Sequence, residues 1–483
     1  MKLALLLLPL VAMATGVTCQ KPNIVIMLAD DVGWADVERH DPEMRTPNVE
    51  RLAQRGMFLN QSYVQPTCAP TRSALLTGRW PYTYGMQVNQ IKGARLAWLD
   101  ENLKLFPATL KELGYTTHMI GKWHLGFCNR ALLPTSRGFD TFYGFYSGAQ
   151  GYFNHSGDSP HAYDFRDNDE VVWSARGHYS TELHTARAQR IIREHGDHHR
   201  PFFLYMAYQN AHAPFEAPQS YVDRYCSHVQ NETRRIHCAM VAAMDESIGN
   251  ITDTLEAEGY TNNTIILFLS DNGGPTVGGS SNYPLRGQKA SLWEGGTRSF
   301  TLLAGPTLRH SNVTYDGLIH AVDWYPTLVQ AAGGAPPRGL DGQAMWSSLQ
   351  IRGPSLRNKM IYNIDDKHRR SALRWGQWKL LKGQPASKKL GWYPPASLLE
   401  RGIPWEEVPR RRVPRWQLFD IQADPEERHN VYRNRRNRRV VRLLKRDLRR
   451  YTRKLRPYVE APRSDRGNPR WTGGVYSPGW CDL

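Results

Sequence analysis

NIVIMLADD, residues 23–31, holds an apolar run unbroken from Ile24 to Ala29 that ends on two adjacent carboxylates. Six consecutive apolar residues, Ile24–Ala29, with no polar alternation read as a strand buried on both faces, the kind found in the parallel sheet of an α/β domain. Three later runs repeat the pattern. YTTHMI leads into Lys122 and His124, FFLYMAY into His212, and TIILFLS into Asp271 and Asn272. Helical stretches separate these runs as far as about residue 330, and no internal repeat interrupts them, so the fold class expected is α/β with a mostly parallel sheet flanked by helices. Open α/β sheets bind ligands beyond the carboxyl ends of their strands. An Asp after a strand is more often a helix cap or turn former, and Asp-Asn-Gly-Gly is also what a tight turn looks like. Four such endings together point to convergence on one site.

Asp30, Asp31, Asp271 and Asn272 offer only oxygen ligands. Such a set suits a hard divalent cation, with Ca2+ favoured for loose coordination and Mg2+ for a strict octahedron. Zinc is disfavoured, because neither HExxH nor paired CxxC spacing occurs.

Cys68 opens the segment CAPTRSALLTGR, residues 68–79. Pro70 suits a first helical turn and Gly78 a helix end, which sets Cys68 at a helix N-terminus where free N–H groups favour an anion. Arg72 adds a fixed charge. An isolated Cys in a secreted chain would by default be buried or disulfide-bonded; the C-x-P-x-R context shifts that balance. At these residues the sequence resembles the type I sulfatases, in which C-x-P-x-R followed by L-x-T-G-R is the substrate of the formylglycine-generating enzyme. The companion segments occur in the family's order: ADD at 29–31, GKWHLG at 121–126, HAP at 212–214, SDNGG at 270–274 and LRGQKASLWEGG at 285–296. GYTTHMIGKWHLG, RGFDTFYG and LFDIQADPEERHN are most similar to arylsulfatase B and its animal relatives.

The resemblance implies a sulfuric ester hydrolase that works through a hydrated formylglycine (3-oxoalanine) made from Cys68 and a covalent sulfoenzyme. It carries the metal-ligand role to Asp30, Asp31, Asp271, Asn272 and modified Cys68. Arg72, Lys122, His124, His212 and Lys289 would surround the sulfate and the nucleophile, with Lys122, His212 and Lys289 touching substrate, and none of the ten positions departs from the pattern. The implied substrate is a sulfated glycan, N-acetylgalactosamine 4-sulfate of chondroitin or dermatan sulfate. The implied fold is an alkaline-phosphatase-like large domain, residues 19–358, followed by a smaller α+β C-terminal domain, 359–483, with a short antiparallel sheet. SALRWGQWKLLKG from Ser371 and RWQLFDIQ from Arg415 read as its strands, and the Pro- and charge-rich stretch between them as an exposed insertion. The loop from Ser147 is where substrate choice would vary. Two rivals remain: a phosphate or phosphonate ester hydrolase of the same superfamily, and a catalytically silent glycosaminoglycan-binding protein.

Composition supports an oxidising, extracytoplasmic setting. MKLALLLLPLVAMATG has the basic start, apolar run and small residues of a signal peptide, taken as residues 1–18, and no later stretch is apolar enough to span a bilayer. The destination expected is the lysosome or the exterior. Sequons begin at Asn60, Asn154, Asn231, Asn250, Asn262 and Asn312, and glycans are expected on exposed loops. Of six cysteines, Cys19 and Cys68 set aside leave four with three possible pairings; Cys226 with Cys238 and Cys128 with Cys481 is the preferred set. The formal charge of +17 favours polyanions, sulfated glycans ahead of nucleic acid. Much of it lies from Arg433 onward, where Val440, Val441, Leu444, Leu448, Tyr451 and Leu455 fall at helical spacing and leave the arginines on a solvated face.

Overall fold

The structure is a computed structural model describing residues 20–88, 90–157, 160–306 and 308–483; the expected signal peptide and Cys19 lie outside the described residues. Strands β1 (Asn23–Ala29), β2 (Gly56–Leu59), β3 (Thr116–Lys122), β4 (Thr141–Phe145), β5 (Phe202–Ala207), β6 (Thr264–Ser270) and β7 (Thr301–Ala304) build most of a ten-stranded sheet. Its order is Val313–Tyr315, β2, β7, β6, β1, β5, β3, β4, Arg166–Asp167, Glu170–Val171. The expected parallel core is β6–β1–β5–β3–β4, while β7 runs antiparallel to both β6 and β2. All seven residues of β1 are buried. Ile24, Ile26 and Leu28 join the hydrophobic cluster on one face, and Val25, Met27 and Ala29 the cluster on the other. The unbroken apolar run is the consequence of two covered faces.

Helix α1 (Cys68–Thr77) is buried along its whole length and packs against a later helix, Ala321–Ala331. It ends as expected at Gly78, whose φ of 64° is a left-handed conformation that glycine adopts without a Cβ clash. On the opposite face α2 (Ser180–Glu194) packs against α3 (Glu232–Ala257), and α3 is capped by the Asn231 side chain accepting from the Arg234 N–H at 2.9 Å.

The C-terminal part is a four-stranded antiparallel sheet of β8 (Lys359–Asp365), β9 (Arg370–Trp375), β10 (Trp378–Lys382) and β11 (Trp416–Asp420). SALRWGQWKLLKG therefore divides into two strands joined by Gly376-Gln377, with Gly376 at φ 55° supplying the positive torsion a two-residue hairpin needs. Helix α4 (Arg438–Thr452) packs on β9 and β10. Leu444 and Leu448 are buried, Val440, Val441, Tyr451 and Leu455 lie partly buried against the same core, and Arg442, Arg449 and Arg450 are exposed, as the spacing predicts.

The stretch between β10 and β11 departs from expectation. Ala386, Leu390, Trp392 and Tyr393 are buried, and its backbone is bonded to the LRGQ segment: Gly287 N–H donates to the Gly391 carbonyl at 2.9 Å and Leu292 N–H to Pro385 at 2.9 Å. Its proline and charge content conceals a small apolar subset that packs on Arg286, whose Nε donates to the Leu390 carbonyl at 2.9 Å and whose guanidinium lies 4.7 Å from the centre of the Trp392 ring. Most of its second half is exposed, from Leu399 to Glu407 and from Pro409 to Arg412, while in the first half Ser387 and Lys388 are exposed. Both disulfides form as preferred, Cys128–Cys481 and Cys226–Cys238. Asn154, Asn231, Asn262 and Asn312 are exposed; Asn250 is exposed but lies inside α3 rather than on a loop, and Asn60 is half-buried with its amide donating to Asp316 at 2.7 Å.

The two sheets are joined by a buried charge cluster. Lys379 of β10 donates to Glu294 at 2.9 Å and to Glu427 at 2.8 Å, all three side chains fully enclosed, and Glu294 also accepts from Tyr63 and Tyr362 at 2.7 and 2.8 Å. Burial opposes the charge on Glu294, yet Lys379 above all holds its carboxyl down to about 2. For Glu427, burial and then the Glu294 charge outweigh Lys379 and push the carboxyl up to about 7. A raised carboxyl stabilises the fold fully below its unfolded value, about 4.5, and loses that contribution as pH rises through about 7. Glu294 acts the other way, losing its contribution only as pH falls towards 2. In thermal unfolding, the stability difference between wild type and Glu427→Gln should therefore shift in favour of the variant as pH rises from 5 to 8, because only wild type loses this contribution. Lys379→Met, which leaves two carboxylates without their cation, should cost about 3–5 kcal/mol.

Candidate active site

Parallel pairing brings the chemistry together. With Ala29 opposite Ser270 and Leu28 opposite Ala207, β1, β6 and β5 end at one level, and the turns beyond them are bonded to one another. Asp30 N–H donates to the Asn210 carbonyl at 2.8 Å and Asp271 N–H to Ala29 at 2.9 Å. Asp30, Asp31, Lys122, Asp271 and Asn272 are all buried there, and Cys68, at the first turn of α1, closes the group from the neighbouring helix.

The Cys68 thiol is reduced and 1% exposed, with Sγ 3.4 Å from Asp30 Oδ1 and 4.0 Å from Asp31 Oδ1. Burial first, then the charges of Asp271 and Asp30, push the thiol well above its usual range, so an unmodified cysteine here stays protonated and is a weak nucleophile. Each carboxylate has its own cation. Lys122 Nζ lies 2.5 Å from Asp30 Oδ2, Arg72 grips Asp271 Oδ2 through Nε and Nη2 at 3.0 and 2.8 Å, and Lys289 Nζ lies 2.6 and 2.7 Å from the two oxygens of Asp31. Burial opposes charge on Asp30, but Lys122, His212 and Arg72 together hold it below the carboxylate range. Asp271 goes the other way: burial and the neighbouring Asp30 push it up to about 7 despite Arg72.

Asp30, Asp31, Cys68 and His212 each offer a ligand atom within 4.8 Å of the others. His212 thus joins a cluster in which only oxygen and the modified Cys68 were anticipated. Asp271 sits beside it, its Oδ1 accepting from the Asp31 N–H at 3.3 Å. Asn272 donates from Nδ2 to Asp31 Oδ1 at 2.6 Å, while its own Oδ1 is buried without a partner. An orphaned amide oxygen next to three buried carboxylates is a donor set that a hard divalent cation satisfies.

The histidines differ in attachment. His124 Nε2 lies 3.0 Å from the Ile91 carbonyl; because a carbonyl only accepts, the neutral ring carries its proton on Nε2 and leaves Nδ1, buried and unpartnered, as the basic atom. Burial, then Lys122 and Arg72, keep that ring neutral. His212 is held through Nδ1 by the Ala213 carbonyl at 2.7 Å and turns Nε2 toward Asp31 Oδ2, 3.7 Å away. Both rings, with Lys289, line a cavity of about 480 Å3 whose walls include Ser147, Gly148 and Ala149 of the loop expected to govern substrate choice. The same walls include Lys92, Arg463 and Tyr476, which no local pattern had singled out.

With this geometry in hand, sequence comparison matches residues 22–335 to the sulfatase family. The chain belongs to that family. It is 38% identical to arylsulfatase J of Mus musculus over 95% of this chain and 80% of that protein, and 30% identical to human N-acetylgalactosamine-6-sulfatase over 72% and 69%. Among solved structures, Ps i-CgsB in complex with k-i-k-neocarrahexaose superposes with a TM-score of 0.79 at 27% identity, covering 94% of this chain and 98% of that one. The sulfatase is a sulfuric ester hydrolase, and its large domain has the alkaline-phosphatase-like fold that the resemblance implied. No described helix is long and apolar enough to cross a membrane.

The charge pairing at this sulfatase site is also structural. Arg72→Met strands Asp271 beside Asp30 and should lower unfolding free energy by about 3–5 kcal/mol in urea titrations.

Proposed function

We propose that the sulfatase removes sulfate from a sulfated glycan, the 4-sulfate of N-acetylgalactosamine in chondroitin or dermatan sulfate, using a formylglycine hydrate at position 68. The observation that carries this reading is the Cys68 thiol, reduced at the first turn of α1 and 3.4 Å from Asp30, while the four other described cysteines are paired. Its C-x-P-x-R setting supports modification by the formylglycine-generating enzyme. The glycan reading is supported by the relative named N-acetylgalactosamine-6-sulfatase and by the neighbour solved with k-i-k-neocarrahexaose.

Asp30, Asp31, Asp271, Asn272 and modified residue 68 would hold the divalent cation, Ca2+ by preference. When bound, the cation would supply Lewis-acid polarisation of a sulfate oxygen and favour ionisation of the nucleophile. Lys122, Lys289 and Arg72 oppose the negative charge that spreads over sulfate during transfer. One hydroxyl of the hydrated aldehyde passes its proton to Asp271, whose carboxyl is pushed up to about 7, as its oxygen attacks sulfur and the S–O bond to the sugar breaks, with His212 giving the departing oxygen its proton. The second hydroxyl then loses its proton to His124 Nδ1, the carbonyl re-forms, and the C–O bond to sulfate breaks; water restores the hydrate. The unpartnered Nδ1 supports that division of labour. We further propose residues 19–358 and 359–483 as the two domains, the six sequons as glycan acceptors, and a lysosomal or secreted destination.

Cys68→Ala should abolish turnover of 4-nitrophenyl sulfate, and Cys68→Ser should stall as a sulfated protein visible by mass spectrometry; steady turnover by either, or an unmodified thiol in the active protein, overturns the mechanism. A faster rate on 4-nitrophenyl phosphate than on the sulfate would favour the phosphate-ester reading. Cation binding has its own readout. Stripped protein should gain about 2.7 kcal/mol of stability at a hundredfold excess of Ca2+ over its Kd, and Asp31→Ala should lose that gain.

A further inference from the structure

The outer wall of the catalytic cavity is made by two loops distant in sequence. Residues 91–96 and 461–464 pair backbone to backbone: Leu96 N–H donates to the Pro462 carbonyl at 2.9 Å, Ser464 N–H to Ala94 at 2.9 Å, and Arg95 bridges Arg463. Arg95 Nη1 adds a bond to the Ala461 carbonyl at 2.8 Å. The first loop is also tied to the reaction centre, since the Ile91 carbonyl holds His124. This double attachment sets Lys92 and Arg463 on the cavity wall.

The charges around that wall are sorted. Lys122, Arg72 and Lys289 each have a carboxylate partner, and so do two further arginines, Arg95 with Glu460 at 3.3 Å and, on an adjoining groove, Arg456 with Asp100 at 3.8 Å. That groove is lined by Asp100, Glu101 and Glu460. No Asp or Glu is among the described residues lining the cavity, and neither Lys92 nor Arg463 has a side-chain hydrogen bond or ion pair there. Both are exposed. A solvated surface charge accounts for one free cation. Two, from loops stitched together above a sulfate-sized reaction centre in a cavity without acids, make a cradle for a second anion.

We propose that Lys92 and Arg463 form a specificity subsite for an anionic group on the sugar next to the one that is desulfated. The proposal rests on the glycan reading above and adds the requirement for a charged neighbour. The group is a carboxylate or a second sulfate, and Arg463 presents a planar donor pair suited to either. Ester and neighbour are then read separately, the ester by the buried cations and the neighbour by the exposed ones.

The test compares sulfated N-acetylgalactosamine disaccharides whose second sugar is a uronate, its neutral methyl ester, or a neutral sugar carrying a second sulfate. Wild type should favour an anionic over the neutral neighbour about tenfold in kcat/KM, expressed in KM. In the Lys92→Gln/Arg463→Gln double variant the ratio should fall to about twofold or less, and Arg463→Lys should keep most of it. The arm that shows the preference identifies the group. The same ratio in wild type and double variant, or no preference in wild type, overturns the subsite. Binding of desulfated uronate and methyl-ester disaccharides, followed by calorimetry, gives the same ratio without turnover. If no sulfate ester is hydrolysed the glycan reading fails, and the calorimetric ratio still decides the subsite.

Discussion

Three carboxylates and three cations share one nearly dry space at the end of the central strands, and their balance governs the rest of the molecule. Asp30, Asp31 and Asp271 would repel one another strongly at low dielectric; Lys122, Lys289 and Arg72 make the cluster tolerable. The balance is incomplete, since Asp271 is pushed up to about 7 and Asn272 keeps an amide oxygen without a partner. A site so arranged has room for further positive charge beside the carboxylates and for an anion against the cations. Those are the two requirements of sulfate-ester chemistry assisted by a divalent ion.

Much of this was legible in the sequence because parallel strands translate order into place. Once NIVIMLA, YTTHMI, FFLYMAY and TIILFLS read as buried strands, the residues after each had to lie at one edge of the sheet, and they do. Cys68 at a helix start and Gly78 at its end followed from local backbone rules. The antiparallel β7 did not follow, because a four-residue apolar strand looks the same in either direction. Membership of His212 in the possible ligand cluster was equally hidden, since a loop histidine carries no sign of which neighbour it faces. Lys92 and Arg463 lie 371 positions apart in sequence, so only tertiary pairing reveals their partnership.

The C-terminal sheet is more than an appendage. Its inner residues, Leu373, Leu380 and Leu418, belong to the same hydrophobic cluster as Leu75 of α1 and Ile26 of β1. Lys379 carries a charge into the interface with Glu294. The segment expected to be an exposed insertion packs on Arg286 for the same reason: an apolar Leu390, Trp392 and Tyr393 outweigh the prolines and charges around them.

The wall that carries Arg463 and Tyr476 is held by the Cys128–Cys481 bond and by pairing with residues 94–96. During synthesis, the strands bearing the aspartates emerge first and this wall emerges hundreds of residues later. A nascent chain interrupted between Thr452 and Arg463 would possess its reaction centre but lie open to solvent on one side, so the chemistry is laid down before the wall that encloses it.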